Sequence, residues 1–309
     1  MNTIREHALV KAITLATAAI LVMGLPTRAP ARDTNVDFQA TRAAADNGDA
    51  RAQYELARCY AKGIGTVIDP AKAAKYMRDA AEQGNAEAQT VLGSFYGRGF
   101  GVPMNVETAV GWYRKAADQG SAVAQYAMGN FYSTGRGVTN DMNEAIRWWK
   151  KAADQNQADA QAALGHLYLV PSASYGTNYL NREEGVRWLR RAAKQGSVDA
   201  ANDLGAACES GWGVKRDCEE AARLYRMAAE EGDARSQASL GQLYFDGRGV
   251  PLDLVQAYKW FKLSASQGNS FGSFGLSHYQ EKQLLTPEQL AEAERMVQSF
   301  QARHARKTE

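Results

Sequence analysis

The chain has 309 residues, with 36 basic and 34 acidic side chains, a net charge of +2 and 45% hydrophobic residues. Such a balance, without blocks of like charge, leaves no electrostatic footprint for nucleic acid or for a membrane surface. His166, His278 and His304 stand far apart with no paired-histidine spacing, so neither a zinc site nor a cofactor is expected.

The first 31 residues stand apart from the rest. Arg5 and Lys11 mark a weakly basic start, an apolar run covers Ala12 to Leu25, and Ala29-Pro30-Ala31 offers small residues for cleavage. This reads as a secretory signal peptide cut after Ala31, which places the remaining chain in the periplasm or outside the cell. A mostly apolar run of fourteen residues is short for a membrane span. Loss of Arg5, Lys11, Arg28 and Glu6 leaves 33 basic and 33 acidic side chains, from 36 less three and 34 less one.

Residues 32–47 read as a degenerate half-repeat, equivalent to a second helix. From there one pattern is written six times. Gly48, Gly84, Gly120, Asn156, Gly196, Gly232 and Gly268 fall in one column, spaced 36, 36, 36, 40, 36 and 36 residues apart. A fixed period of this size predicts an all-α solenoid of stacked helix pairs. The units run 48–83, 84–119, 120–155, 156–195, 196–231 and 232–267, followed by a degenerate last repeat and a capping helix over 268–309.

Within a unit, the glycine ends one helix, and Asp49, Asn85, Ser121, Ser197, Asp233 or Asn269 caps the next. Small residues hold the fifth column (Ala52, Ala88, Ala124) and glycines the tenth (Gly93, Gly129, Gly205), where close backbone approach is expected. A Gly-x-Gly turn follows, as at Gly99-Phe-Gly101. It recurs five times with no strand before it, so it reads as a turn rather than a phosphate cradle. The second helix opens at Asp69, Asn105, Asp141, Asn181, Asp217 or Asp253 and carries Tyr76, Trp112, Trp148, Trp188 or Trp260 toward the neighbouring pair. Thr286-Pro287-Glu288-Gln289 predicts a capping box that opens the final helix.

Small-Leu-Gly, aromatic-Tyr, Gly-x-Gly-Val, Asp-x-x-x-Ala and Trp-Tyr-x-x-Ala-Ala together resemble the Sel-one-like repeat family, relatives of the tetratricopeptide repeat. The resemblance covers about residues 36–300. It implies antiparallel pairs wound into a right-handed superhelix, and a non-enzymatic adaptor or scaffold role, often in envelope signalling or assembly. Cysteine-rich relatives carry a cysteine pair in most repeats and include β-lactamase-like hydrolases. This chain departs from them: it has three cysteines, few for an exported protein, and no Ser-x-x-Lys motif. Cys208 and Cys218 belong to one hairpin and are expected to form a disulfide, whereas Cys59 is expected to be a buried thiol.

Columns 4, 7 and 11 of the first helix do not repeat, and their spacing makes one stripe. The resemblance puts this stripe on the concave groove. It is read either as a solvated face or as the surface for a protein or peptide partner, with Arg51, Tyr54, Arg58, Tyr126, Asn130 and His166 as contacts. The fourth unit is longer by four residues and carries Tyr175 and Tyr179 in its loop, which is open to three readings: a contact site, a tolerated insertion or a hinge. A glycan-binding module using Tyr175, Tyr179 and Trp212 is the alternative function.

Overall fold

The computed structural model describes residues 37–171 and 177–308. The expected signal peptide, its cleavage site and Tyr175 lie outside the described residues. Among the described residues there are fifteen α-helices and no strand. They fall into two compact units, one up to Ala160 and one from Gln161 onward.

The first unit holds α1 (Phe38–Asp46), α2 (Ala50–Lys62), α3 (Pro70–Glu82), α4 (Ala86–Arg98), α5 (Val106–Asp118), α6 (Ala122–Thr134) and α7 (Met142–Asp154). The division falls inside α8 (Ala158–Leu169). The second unit continues with α9 (Arg182–Lys194), α10 (Val198–Ser210), α11 (Cys218–Glu230), α12 (Ala234–Asp246), α13 (Leu254–Ser266), α14 (Ser270–Lys282) and α15 (Pro287–Thr308). In each unit, antiparallel helix pairs stack on the next pair, and at the end of the chain α15 packs on α13 while α14 packs on α12 and α13.

Local chemistry explains the joints. Gly84 adopts φ +91°, its N–H bonds to Ala81 O, and the Asn85 N–H bonds to Ala80 O. The Asn85 side chain then accepts from the Ala88 N–H at 2.8 Å, so one joint ends a helix and starts the next. Each such cap is worth about 1 kcal/mol. Asn156 takes the same left-handed conformation without being glycine, at φ 66°. Gln157, a poor cap residue by type, nevertheless reaches the Ala160 N–H with Oε1 at 2.6 Å.

The longer fourth loop leaves the hairpin closure intact. The Asn181 N–H bonds to Tyr168 O at 2.9 Å, as Asn105 does to Tyr96 and Asp253 to Tyr244 at 2.9 and 3.0 Å. Thr286 and Gln289 form the expected reciprocal capping box at 3.0 and 3.3 Å. The final helix buries Ala293, Val297 and Phe300, with Phe300 edge-on to Trp260 at 5.7 Å.

The tenth-column glycines work differently from the sequence expectation. In most repeats what lies against them is a second-helix side chain, not a backbone. A Cβ on Gly129 would enter the Trp149 ring, and one on Gly205 would come 2.8 Å from Tyr225. Two backbones meet most closely in the fourth repeat, where a Cβ on Gly185 would lie 3.0 Å from Gly165 O; in the sixth, one on Gly241 would lie 3.3 Å from Ala257 O. The glycine column is therefore a groove for the aromatic that follows in the same hairpin.

A glutamine ladder, not anticipated from the sequence, runs between the helices. Gln89 donates to Ala81 O at 3.0 Å and accepts from Gln119 at 2.7 Å. The same pairing joins Gln83 to Gln53 and Gln155 to Gln125 at 2.7 Å, Gln195 to Gln161 at 2.8 Å and Gln267 to Gln237 at 2.9 Å. The buried member of each pair (Gln53, Gln89, Gln125, Gln161 and Gln237) thereby gains a partner for an amide that burial would otherwise penalise by about 1–3 kcal/mol. Among the described residues no helix is long and apolar enough to cross a membrane.

Candidate interaction surface

The three columns of the first-helix stripe have different fates. Column 4 is mostly open, as at Arg51, Glu87, Val123, Asp199 and Arg235. Column 7 is mostly closed, because it packs on the first helix of the next repeat: Thr90 meets Ser121 at 3.2 Å, and Asn202 accepts from Ser236 Oγ at 3.0 Å. Column 11 is mostly half-buried.

Two of the expected contact residues are consequently corrected. Tyr126 is only 4% exposed, held between repeats. Asn130 is buried, and its Oδ1 accepts from the Trp149 indole N–H at 3.0 Å. Both support the repeat stack and offer little to a partner. Their column positions resembled those of exposed residues, but bulky neighbours cover them.

In the first unit, Arg51 is exposed, and Tyr54 and Arg58 are half-buried. The Arg58 guanidinium lies 5.8 Å from the Tyr54 ring centroid and donates to Glu55 at 2.8 Å. Burial pushes the Tyr54 phenol pKa up, with Arg58 opposing. Tyr179 is half-buried at the end of the fourth loop.

The second unit carries a denser charged cluster. His166 Nδ1 meets Asp203 Oδ2 at 2.7 Å, with side chains 37% and 13% exposed. Asp203 also accepts from Asn202 at 3.2 Å. One repeat further on, Arg235 pairs with Asp199 at 2.6 Å and with Asp233 at 3.5 Å. Burial works to lower the His166 pKa, but the Asp203 charge and hydrogen bond outweigh it, and the net shift is upward. Burial works to raise Asp203, yet His166 holds it below the usual carboxylate range. Asp199 is raised by burial against the pull of Arg235. Asp203 escaped the sequence reading because its column is otherwise apolar or neutral in most repeats (Val91, Ala127, Ala163, Ser239). That departure was the available signal.

A second omission lies at the end of the stripe. Counted from Gly268, columns 4, 7 and 11 are Phe271, Phe274 and His278 on α14. Phe274 is 64% exposed and Phe271 44% exposed. His278 sits beside the Phe274 ring at 5.9 Å and edge-on to Phe245 at 6.3 Å. Helix α14 packs on α12, so these rings extend the face that carries Arg235. Reading the last repeat as a degenerate cap concealed them.

The expected disulfide is not formed, and Cys59, Cys208 and Cys218 are all free thiols. Cys208 is buried in the core of its unit, in the column that elsewhere holds tyrosine. Cys218 is the first residue of α11 on a half-exposed rim, with its carbonyl against Gly249. Among the described residues no group of three or more His, Cys, Asp or Glu side chains is placed to hold a metal ion.

A profile of the Sel1 repeat matches residues 50–85, 86–121, 122–157, 158–197, 198–233 and 234–269. A Sel1 repeat protein from Oxalobacter formigenes is 34% identical, with a TM-score of 0.66, over 82% of this chain and 96% of that one. A protective antigen of uropathogenic Escherichia coli with an SLR fold is 26% identical, with a TM-score of 0.40, over 88% and 80%. The immunity protein PA5088 from Pseudomonas aeruginosa is 21% identical, with a TM-score of 0.45, over 72% and 82%. No curated protein matches the sequence.

Proposed function

The chain belongs to the Sel1 repeat family, and on that premise we propose that it is a scaffold that receives a partner polypeptide on the first-helix face of residues 161–308. The observation that carries this reading is the exposure of Phe274 and Phe271 in the columns that continue the charged stripe. Aromatic residues are enriched at protein interfaces, and two open rings one turn apart on one helix face are neighbours rather than singly scattered surface residues. Arg235, Asp199 and the His166–Asp203 pair supply a polar margin of mixed sign. Residues 1–31, read as a signal peptide, put this scaffold in the periplasm or outside the cell.

A glycan module finds less support. Trp212 is half-buried against its core and covered by the Arg182 guanidinium at 5.1 Å from the ring, so it is spent on folding. The test is photo-crosslinking in producing cells, with a crosslinking residue at Phe274, at Arg235 or at Arg51, followed by mass spectrometry. One dominant protein at the first two positions, lost on Phe271→Ala, is expected. Capture confined to Arg51, or no protein at any position, would overturn the proposal.

A further inference from the structure

The repeats hold a recurrent arginine–tyrosine lock between successive hairpins. A second-helix arginine donates to the phenol oxygen of the next repeat's tyrosine: Arg78 to Tyr96 at 2.9 Å, Arg114 to Tyr132 at 2.6 Å and Arg226 to Tyr244 at 2.8 Å. In each lock the guanidinium also lies over the ring, 5.7–6.0 Å from its centroid. At the step into the fifth repeat the arginine is kept, as Arg190, but the tyrosine is replaced by Cys208.

The frame around the missing ring is unchanged. The Asp217 N–H bonds to Cys208 O at 2.9 Å, as the corresponding N–H does to the tyrosine carbonyl in the intact repeats. What remains is a cavity of about 520 Å³ lined by Arg190, Cys208, Val214, Arg216, Cys218 and Gly249 among others. Cys208 forms its floor and is buried, which raises its thiol pKa and keeps it a neutral, polarisable group. Sulfur of this kind packs well against aromatic rings.

The lining carries Arg190, Lys215 and Arg216 against Asp217, Glu219 and Glu220, so its charges balance. Asp217 caps the helix by accepting from the Glu220 N–H, and Glu220 is paired with Arg223 at 2.5 Å. That Arg223 hydrogen bond, with Arg190 at longer range, holds the Glu220 carboxyl pKa down, and among the described residues Arg190 makes no hydrogen bond or ion pair within 4 Å. Cys208 lies two residues from Ala206 of the stripe, about 200° around the helix, so this site is separate from the proposed partner face.

We propose that this cavity is a socket for a tyrosine side chain of a partner polypeptide. The ring takes the place of the absent internal tyrosine, and its hydroxyl oxygen accepts from Arg190. A phenylalanine fills the same space but leaves Arg190 without an acceptor.

The test uses the whole protein and two probes, the blocked peptides Gly-Tyr-Gly and Gly-Phe-Gly, titrated by NMR and calorimetry. Saturable binding of the tyrosine peptide is expected, about tenfold tighter than the phenylalanine peptide, since a hydrogen bond to a charged donor is worth about that factor. Arg190→Ala reduces the two peptides to equal affinity. Cys208→Tyr closes the socket from within, abolishes binding and raises Tm, because it restores the internal lock. Cys208→Ala keeps the socket open and keeps binding, and so guards against misfolding of the larger substitution. Lack of saturable binding, equal binding of the two peptides by the unaltered protein, or a Tm lowered by Cys208→Tyr would overturn the proposal. Crosslinking at Phe274 is expected to be unaffected by Cys208→Tyr, which separates the failure of this site from the failure of the stripe.

Discussion

In residues 37–160 the glutamine ladder is unbroken, and the arginine–tyrosine lock is missing only at the first step, where Arg42 pairs with Asp46 instead. Three glutamine pairs close at 2.7 Å, and two arginine–tyrosine locks join successive hairpins. In residues 161–308 the same ladders surround one exceptional repeat. Between the Gln195–Gln161 and Gln267–Gln237 pairs, the fifth repeat has Ala201 and Glu231 in those columns, and Cys208 in place of the lock tyrosine. The second unit also carries the buried-edge ion cluster and the open phenylalanines. The contrast teaches that repeat chemistry is kept where a hairpin only has to stack, and released where its surface is free to do something else.

The largest expected effect would break the claim that both units share one packing rule. Gly129→Val in the first unit and Gly205→Val in the second each drive a branched side chain into a ring. Each is expected to cost about 3 kcal/mol, read as a fall in the urea midpoint. If only one of the two is costly, the glycine groove is not common to both units.

Next in size is Gln89→Ala, which leaves Ala81 O and the Gln119 amide without their shared partner. A loss of about 1–2 kcal/mol is expected by chemical denaturation. The complementary experiment rebuilds the missing rung in the second unit. Ala201→Gln with Glu231→Gln is expected to gain about 1 kcal/mol together. Neither change alone does so, and the double-mutant cycle measures the coupling.

The smallest effect is a pH dependence confined to the second unit. The His166 pKa is raised in the fold, so its contribution is complete below the ordinary value of 6.5 and lost as pH rises through the raised value. Asp203 is lowered, so its contribution is complete above 3.8 and lost as pH falls through the depressed value. The pair therefore stabilises most between those two ordinary values. Its partial exposure limits the effect to under about 1 kcal/mol. Denaturation at pH 6 and pH 9 is expected to show a loss at the higher pH that His166→Gln abolishes. The corresponding pair in the first unit, Arg58 with Glu55, contains no imidazole to lose its charge.

Much of the architecture was legible before any coordinates. The joint glycines, the Asp and Asn caps and the Thr286–Gln289 box are local devices, each specified by a few adjacent residues. Asn156 could even be read as a left-handed joint, because asparagine tolerates that conformation. The Cys208–Cys218 bridge was misjudged because proximity along a hairpin does not aim two thiols at each other. Tyr126 and Asn130 were misjudged because a stripe computed on one helix takes no account of the helix beside it.

By itself, then, the sequence determined the period, the helix pairs and their caps, since these depend on residues within one turn or one repeat. Tertiary structure alone decided which stripe positions face solvent, which glycine receives a ring, and where a missing tyrosine leaves space. Those properties belong to side chains from successive helices that meet only after the hairpins have stacked, and packing between them sets exposure more strongly than residue type does.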